Sequence, residues 1–351
     1  MRVNEVQRKI KEEGLSAFFF SSYPSVFYLT GFRSTHAFVV LTPEERHLFT
    51  DARYYERARK LLNGWELHLL KDGAFKAVKR FLKERGFTEV GYELERLSCS
   101  DRKKLKAKGL RWRGYEGFLT PFRARKTERE LSVLREGAKK LEEAFTEVIN
   151  GLGEGVTELA LRGRLAEAFT RRGALGESFA SIVAFREHSA VPHWESSETV
   201  IKGKGPLLVD TGLIWHGYCT DLTRTLHLGK PDEEFRKVYE AVKEAHLRAV
   251  EKVRPGVAVA EVDRTAREVL RRYGLEKFFT HATGHGIGIE VHEFPRVSSR
   301  SKAVLEEGFV VTVEPGVYLE GRFGVRLENM VAVGPDGPEV LYELPLELTV
   351  L

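Results

Sequence analysis

The sequence is poor in the residues that define disulfide-rich or membrane-spanning proteins. Its two cysteines, Cys99 and Cys219, lie far apart and belong to no CxxC pair, so neither a disulfide framework nor a thiolate zinc site is expected. No segment approaches the roughly 18 uncharged apolar residues that a membrane span needs. The N-terminal residues also lack the continuous apolar stretch of a signal peptide. These absences favour a cytoplasmic protein without a membrane partner.

Amide and thioether side chains are equally scarce. The chain has one glutamine, four asparagines and two methionines beside 56 lysines and arginines. This composition is typical of thermophilic proteins, which avoid heat-labile residues. The net charge of +5 would suit a nucleic-acid partner, but the positive charge is spread, with its main excess in residues 102–113 and 123–129. We therefore expect a solvated surface and no nucleic-acid partner.

Length and pattern predict two domains. The 351 residues exceed an ordinary domain, and 42% of them are hydrophobic, enough for a sizeable core. In the first part of the chain helix and strand signals alternate: residues 3–13 have apolar positions at helical spacing, and residues 17–21 have the pattern of a buried strand. We predict an α/β N-terminal domain at residues 1–121 and a second domain at residues 122–351.

An approximate internal repeat organises the second domain. Glycine-valine pairs at 155–156 and 256–257 each open a predicted helix, which is followed by a histidine and by strands carrying two acidic residues. These residues are His193, Asp210 and Asp221 in the first half and His285, Glu314 and Glu328 in the second. Few identities support the repeat, so chance similarity stays an alternative. A true repeat would give two αβ halves, related by a pseudo-two-fold axis, whose acidic strands meet at a cleft.

Two aspartates belong to neighbouring strands of the first half. An apolar strand ends in Asp210, and in the alternating strand that follows, Asp221 and Thr223 share one face. A carboxylate at the end of an apolar strand is costly to bury unless it is paired or binds a metal. Taken alone, an aspartate at the position of Asp210 more often caps a turn. Its partnership with Asp221 across a predicted hairpin favours a metal site.

The second half contains three histidines close together, His281, His285 and His292, in a chain that has 11. Glycines on both sides of His285 leave room for a ligand or another backbone segment. A single histidine here would be structural, whereas three beside carboxylates favour a functional site. The glycine spacing is GxGxG instead of GxGxxG, and no Walker lysine follows, which argues against a nucleotide-binding loop.

Glu314 ends another apolar strand, and residues 325–333 alternate so that Arg326 and Glu328 share one face. Arg326 then either neutralises Glu328 in an ion pair or orients it as a metal ligand.

The expected ligand set has one imidazole and four carboxylates. It suits a catalytic Mn²⁺, Co²⁺, Fe²⁺ or Zn²⁺ ion better than a structural zinc site. Four carboxylates exceed the needs of one ion, so we expect two bridged ions, about 3.5–4 Å apart, that activate a water molecule.

The chemistry-bearing stretches are VDTG with GYCTDLTRT, HATGHGIGIEVHE, VEPGVY and VRLEN. Together they resemble the Xaa-Pro peptidases of the pita-bread metallopeptidase family, prolidase and aminopeptidase P, and the motifs YLTGF and DARYY resemble that family's N-terminal domain. The resemblance implies an α/β N-terminal domain followed by an α+β pita-bread domain with pseudo-two-fold symmetry. It also implies a homodimer, a peptide substrate with proline second, and two divalent ions, Mn²⁺ or Co²⁺ ahead of Zn²⁺ or Fe²⁺.

By this resemblance each metal-binding residue has a role. Asp210 would chelate one ion and His285 the other, while Asp221 and Glu328 would bridge both. Glu314 would bind the second ion and carry a proton from the water to the leaving proline nitrogen. Metal binding and proton transfer would thus be shared among five side chains.

The resemblance also assigns residues that contact the substrate. His193 would stabilise the tetrahedral intermediate, His292 would lie near the scissile bond, and His281 would lie near the proline ring and carboxylate. Arg326 would support the bridging glutamate. Two stretches depart from the family pattern: the one before His193, where substrate contacts would differ, and the one containing His216, which is expected to be an exposed loop residue.

Three alternatives share this fold. Creatinase lacks the metal ligands, methionine aminopeptidase generally lacks the N-terminal domain, and non-catalytic peptide-binding modules typically lose ligands. The complete set of five, together with the N-terminal domain, argues against all three. Within the family, the short N-terminal domain resembles that of the smaller prolidases and favours an Xaa-Pro dipeptidase, although short aminopeptidase P-like proteins also exist. A dipeptidase must block longer peptides, and the N-terminal domain, or its copy in a second subunit, would do so.

Overall fold

The computed structural model describes residues 2–153 and 155–351. The chain divides into two compact units, residues 1–123 and 124–351. The sequence placed the domain boundary after residue 121, close to this division. Mixed helix and strand content in both units agrees with the predicted fold class, an α/β domain followed by an α+β domain.

The first unit is built on a mixed sheet. Its strands are β1 (Ala17–Phe20), β2 (Ala37–Leu41), β3 (Arg46–Thr50), β4 (Glu66–Leu69), β5 (Glu89–Glu93) and β6 (Arg111–Tyr115). Its helices are α1 (Val3–Glu12), α2 (Tyr23–Thr30), α3 (Ala52–Leu61), α4 (Ala74–Glu84) and α5 (Cys99–Leu105). Neighbours in the sheet follow the order β4-β3-β2-β1-β5-β6. The pairs β1–β5, β5–β6 and β3–β4 are parallel, and β1–β2 and β2–β3 are antiparallel.

The residue pattern explains how this unit begins. Val3, Val6 and Ile10 recur at helical spacing and are all buried in α1. Gly14 follows the helix with a φ of +67°, a conformation that glycine adopts without steric strain. The chain therefore turns directly into β1, whose residues are all buried.

The second unit follows helix α6 (Thr120–Ala124), which spans the division. Its other helices are α7 (Glu128–Asn150), α8 (Glu158–Arg171), α9 (Glu233–Val250) and α10 (Val259–Arg272). The strands of its first half are β7 (Ile182–Phe185), β8 (Gly205–Thr211), β9 (Ile214–Trp215), β10 (Tyr218–Cys219) and β11 (Leu222–Leu228). Those of its second half are β12 (Gly284–Gly286), β13 (Glu293–Val297), β14 (Val310–Val313), β15 (Gly316–Leu319), β16 (Phe323–Arg326), β17 (Asn329–Gly334) and β18 (Gly337–Val340). Among the described residues of the chain, no helix is both long and apolar enough to cross a membrane.

The two halves of the second unit repeat one succession of elements. Helices α7 and α8 precede the antiparallel sheet β11-β8-β7, and helices α9 and α10 precede the antiparallel sheet β13-β12-β14-β17-β18. Each helix pair covers its sheet through a core of buried apolar side chains. The approximate repeat in the sequence therefore corresponds to two αβ halves.

One predicted strand is wrong in its extent. Residues 325–333 were expected to form a single alternating strand, but β16 ends at Arg326 and β17 begins at Asn329. The reason is a change of partner: β16 pairs with β15, whereas β17 pairs with β14. Between them the N–H of Glu328 donates to the carbonyl of Thr223 at 3.1 Å, so the backbone there bonds to the first half of the unit.

A buried carboxylate fixes the loop between β7 and β8. Glu158, in the first turn of α8, is completely buried. Its Oε1 accepts from the N–H of Phe185 and lies 2.8 Å from Nδ1 of His188. Its Oε2 accepts from Nε1 of Trp194 at 2.9 Å and from both the N–H and the hydroxyl of Ser197. One side chain thus organises the whole segment from β7 to residue 197.

This arrangement gives a physical account of the atypical stretch before His193. The ring of His188 stacks on Trp194, with centroids 3.9 Å apart, directly beside His193 in the chain. Burial raises the pKa of Glu158, but the hydrogen bonds from Phe185, Trp194, His188 and Ser197 outweigh it and leave the pKa below its ordinary value of 4.5. The carboxylate therefore stays charged while it holds the segment.

We predict that Glu158→Ala lowers the free energy of unfolding by about 2–4 kcal/mol, because several buried donors lose their acceptor. Since the folded-state pKa is lower than the unfolded one, the stabilisation is complete above pH 4.5 and is lost as the pH falls through the folded-state pKa. Denaturant unfolding at several pH values measures both effects. Glu195→Ala, at an exposed position of the same segment, is the control and should change little. A wild-type advantage that does not vary with pH would contradict this role.

Candidate metal centre

The two aspartates of the first half lie at the same end of their sheet. Asp210 is near the end of β8, Asp221 immediately precedes β11, and the register places Thr223 opposite Asp210. The connection is tight: a Cβ on Gly212 would lie 2.0 Å from the carbonyl oxygen of Thr220. Both carboxylates are consequently held inside the unit, with 9% and 4% of their residues' surfaces exposed.

His285 enters from the second half on β12, between two closely packed glycines. A Cβ on Gly284 would lie 1.9 Å from the carbonyl oxygen of Thr312, and one on Gly286 would lie 2.2 Å from that of Phe294. The prediction that these glycines permit close approach of another backbone segment is confirmed. Nδ1 of His285 lies 3.0 Å from the carbonyl oxygen of Gly286, so the proton belongs on Nδ1 and Nε2 presents a lone pair.

Carboxylates from both halves surround that lone pair. Nε2 of His285 lies 3.6 Å from Oδ2 of Asp221 and 3.5 Å from Oε1 of Glu314, which directly follows β14. Donor atoms of Asp221, His285 and Glu328 all lie within 4.8 Å of one another. Asp210 is near enough for its charge to act on Asp221, Glu314 and Glu328. The structure therefore brings four carboxylates and one imidazole into a single cluster.

The electrostatics of this cluster are unfavourable to its own charges. Burial, followed by the charges of the neighbouring carboxylates, raises the pKa of Asp221 and of Glu328 well above their ordinary values. Burial also raises the pKa of Glu314 to about 8, with a further contribution from Asp210. For His285, burial lowers the pKa to about 4, so the imidazole is neutral. Anionic ligands and a neutral imidazole are the forms that bind a cation.

Two carboxylate oxygens of the cluster are left without hydrogen-bond donors. Among the described residues, Oδ1 of Asp210 and Oε1 of Glu328 are buried and have no hydrogen-bond partner. A buried carboxylate oxygen without a donor is strongly destabilising unless a cation compensates it. Together with the free nitrogen of His285, these oxygens fit divalent metal ions. The donor set is rich in oxygen, as in catalytic centres, and contains no thiolate.

A direct ion pair with Glu328, one of the two roles open to Arg326, is absent from the contacts of the described residues. Nη2 of Arg326 donates to Oδ2 of Asp210 at 2.6 Å, and Nε donates to the hydroxyl of Thr223 at 3.2 Å. That hydroxyl in turn donates to Oε2 of Glu328 at 2.6 Å. The guanidinium thus binds one carboxylate directly and reaches the other through a threonine. The strand break at residues 327–328 means that Arg326 and Glu328 do not belong to one continuous strand.

The three histidines proposed to contact substrate lie around the cluster at different depths. Nε2 of His281 is 2.8 Å from the hydroxyl of Tyr318, and burial lowers its pKa to about 3. The ring of His292 stands nearly perpendicular to that of His285, with centroids 4.3 Å apart. His193 and His292 are exposed, and the charge of His193 acts on both His281 and His292. The three imidazoles are thus within electrostatic range of one another.

Two residues of the site were not found from the sequence. The hydroxyl of Tyr318 accepts a hydrogen bond from Nη1 of Arg326 at 2.7 Å and lies 2.8 Å from Nε2 of His281. Its one sequence signal was its place in the VEPGVY motif, four positions after Glu314. Glu158 gave no local signal beyond its position in the first turn of a helix.

One minor prediction is confirmed. His216 is exposed, at a turn between β9 and β10 where its φ is 47°. A left-handed residue at the tip of a two-stranded hairpin is typical of a tight turn. His216 therefore belongs to the loop, as expected for a histidine without a counterpart in the family motifs.

Comparisons with known proteins agree with this geometry. Residues 132–335 match the metallopeptidase family M24, and residues 2–124 match the creatinase/prolidase N-terminal domain. The Xaa-Pro dipeptidase of Pyrococcus horikoshii is 30% identical over 353 residues, 99% of both chains. A solved Xaa-Pro dipeptidase from Bacillus anthracis is 33% identical, with a TM-score of 0.95 over 100% of this chain and 99% of that one.

A solved X-Pro aminopeptidase from Thermotoga maritima is similar to nearly the same degree. It is 32% identical, with a TM-score of 0.92 over 99% of this chain and 100% of that one. The matches extend through both units, and the fold is the predicted N-terminal domain followed by a pita-bread domain. The chain belongs to metallopeptidase family M24.

Proposed function

We propose that this chain hydrolyses the peptide bond that precedes proline, and that its substrates are Xaa-Pro dipeptides. The observation that carries the proposal is the cluster of four carboxylates around His285, with two buried oxygens that lack a donor. In its anionic form such a cluster needs cations to balance its charge. Similar chains named Xaa-Pro dipeptidase, which share the whole length of both units, support the choice of substrate.

The ligands of two divalent ions are proposed as follows. Asp210 would bind one ion and His285 the other, while Asp221 and Glu328 would be shared between them. Glu314 would join His285 on the second ion, in keeping with the 3.5 Å between its Oε1 and Nε2 of the histidine. A donor set so rich in carboxylate favours Mn²⁺ or Co²⁺, with Zn²⁺ or Fe²⁺ as alternatives.

Ions bound there would supply Lewis acidity, which lowers the pKa of a water molecule and polarises the scissile carbonyl. The proton movement belongs to the protein. The carboxylate of Glu314 would take the proton of the attacking water and deliver it to the proline nitrogen. That nitrogen carries no hydrogen in the peptide, so it leaves as a neutral amine only after it is protonated.

The surrounding side chains would hold the substrate and offset the developing negative charge. His193 and His292, which are exposed beside the cluster, would donate to the tetrahedral oxyanion. His281, fixed by Tyr318, would contact the proline ring and carboxylate. Arg326 would keep Asp210 in place through its 2.6 Å hydrogen bond.

The length of the accepted peptide is the finer part of the proposal. Similar solved structures carry both names, Xaa-Pro dipeptidase and X-Pro aminopeptidase. We favour the dipeptidase because the N-terminal domain is short. We propose a cytoplasmic homodimer from a thermophilic source, on the basis of the family resemblance and of the scarce cysteine, amide and methionine side chains.

We predict that Glu314→Gln lowers kcat on Ala-Pro by about 10²–10⁴-fold, because the amide cannot relay a proton. Glu320→Gln, at an exposed position just after β15, is the matched control and should leave kcat unchanged.

Wild type treated with a chelator should lose activity and regain it with Mn²⁺ or Co²⁺. Activity that survives complete removal of metal would exclude the dinuclear mechanism. Absence of activity with every metal would favour a peptide-binding module.

We predict that the enzyme cleaves Ala-Pro and leaves Ala-Pro-Ala intact, because the N-terminal domain, or its copy in a second subunit, should exclude the longer peptide. Release of free alanine from each peptide, at equal concentration and with the same metal, measures the difference. A non-proline dipeptide such as Ala-Ala is the control for specificity. Equal rates on Ala-Pro and Ala-Pro-Ala would instead identify the chain as an aminopeptidase P.

A further inference from the structure

A second cluster of imidazole and carboxylate groups lies in the first unit, at the edge of its sheet. His47 is on β3, and Glu66 and His68 are on the edge strand β4. The parallel register pairs His47 with Glu66, and side chains two positions apart point to the same face. The pairing therefore places all three groups together on one face of the sheet.

The donor atoms have the spacing of a metal site. Nδ1 of His47 lies 3.2 Å from Nε2 of His68 and 3.3 Å from Oε2 of Glu66, and Nε2 of His68 lies 3.6 Å from Oε1 of Glu66. A tetrahedral zinc ion with bonds of about 2.0–2.1 Å places its ligand atoms about 3.3–3.4 Å apart. Ligand atoms of these three residues lie within 4.8 Å of one another.

The outer contacts of His47 also match those of a metal ligand. The ring is completely buried, and its Nε2 lies 3.0 Å from Oε2 of Glu45. Because a carboxylate accepts a hydrogen bond, the proton of the ring belongs on Nε2, and the other nitrogen, Nδ1, turns a lone pair toward His68 and Glu66. This carboxylate–histidine arrangement recurs behind metal-binding histidines and fixes their tautomer.

Aromatic packing fixes the second imidazole. The ring of His68 stacks on Phe49 with centroids 4.3 Å apart, and it also contacts Phe81 at 4.9 Å. Burial lowers the pKa of both His47 and His68, so both rings are neutral near pH 7. Neutral rings held in fixed orientations need little rearrangement to bind a cation.

Arg85 is the one competing cation in direct contact with these carboxylates among the described residues. It donates to Oε1 of Glu45 at 3.3 Å and to Oε2 of Glu66 at 3.1 Å. The contact leaves Oε1 of Glu66 facing His68. Since the side chain of Glu66 is half exposed, the cluster is open to solvent on that side. An ion can therefore enter, and water can complete its coordination.

We propose that His47, His68 and Glu66 bind one divalent ion of the zinc class. The two imidazoles select Zn²⁺ and similar borderline cations over Mg²⁺ or Ca²⁺, which prefer oxygen ligands. The ion joins β3 to the edge strand β4 and is separate in the chain from the carboxylate cluster of the second unit. Its role is to hold the edge of the first unit's sheet.

The test uses the full chain with Asp221→Asn and Glu328→Gln, which weaken the carboxylate cluster. Titration calorimetry and metal analysis with Zn²⁺ alone should show one equivalent that disappears when His68→Phe is added. Glu66→Gln should lower the affinity for this Zn²⁺ ion at least about tenfold, and Glu45→Gln should lower it about 10–100-fold. One equivalent of Zn²⁺ should raise the unfolding temperature of the Asp221→Asn, Glu328→Gln background protein. It should not raise that of the same protein carrying His68→Phe.

His36→Ala is the matched control, because His36 also contacts a carboxylate, Asp51, at 2.9 Å but has no second imidazole as partner in the described contacts. It should keep the full equivalent of Zn²⁺. Circular dichroism without metal verifies folding, and Glu66→Gln, on a half-exposed side chain, decides the matter if His68→Phe does not fold. Zinc binding that is equal in the background, His68→Phe and Glu66→Gln proteins would overturn the proposal, as would no binding in the background.

Discussion

The burial of several carboxylates within a few ångströms of one another is the constraint on which the second unit depends. Desolvation and mutual repulsion both raise the pKa of Asp221 and Glu328, so their anionic forms are unstable together without cations. Arg326 supplies one positive charge, and it is bound to Asp210. One guanidinium cannot balance four carboxylates, and one oxygen each of Asp210 and Glu328 has no protein donor. In a metallopeptidase fold, this instability is what gives the centre its affinity for metal.

The scaffold meets this constraint by building the site from two halves. One half contributes the strand pair β8–β11 and the other contributes β12, β14 and β16. Hydrogen bonds of Thr223 with Glu328 and of Thr225 with Arg326 join the halves at the cluster. Each half alone would hold only part of the charge. A cluster assembled in this way forms only when the whole unit is folded, which suits a site whose side chains must be held rigidly.

Two donor sets in one chain illustrate how residue type selects an ion. The cluster in the second unit has four carboxylates and one imidazole, whereas the cluster in the first unit has two imidazoles and one carboxylate. Oxygen-rich sets accept harder cations, and imidazole-rich sets favour zinc. In both clusters an acceptor fixes the imidazole through its second ring nitrogen: the carbonyl of Gly286 for His285, and the carboxylate of Glu45 for His47. The same physical device thus serves two different places in the fold.

The sequence by itself determined the two-domain organisation, elements such as α1 and β1, and the acidic residues at or near strand ends, such as Asp210 and Glu314. These features depend on local periodicity and on motifs whose residues are close together in the chain. Only the tertiary structure decided that Arg326 binds Asp210, that Glu158 holds the segment before His193, and which side chains pair across β3 and β4. Some of these contacts join residues more than one hundred positions apart. They depend on strand register and on the direction of each side chain. Periodicity contains no information about which distant strands become neighbours.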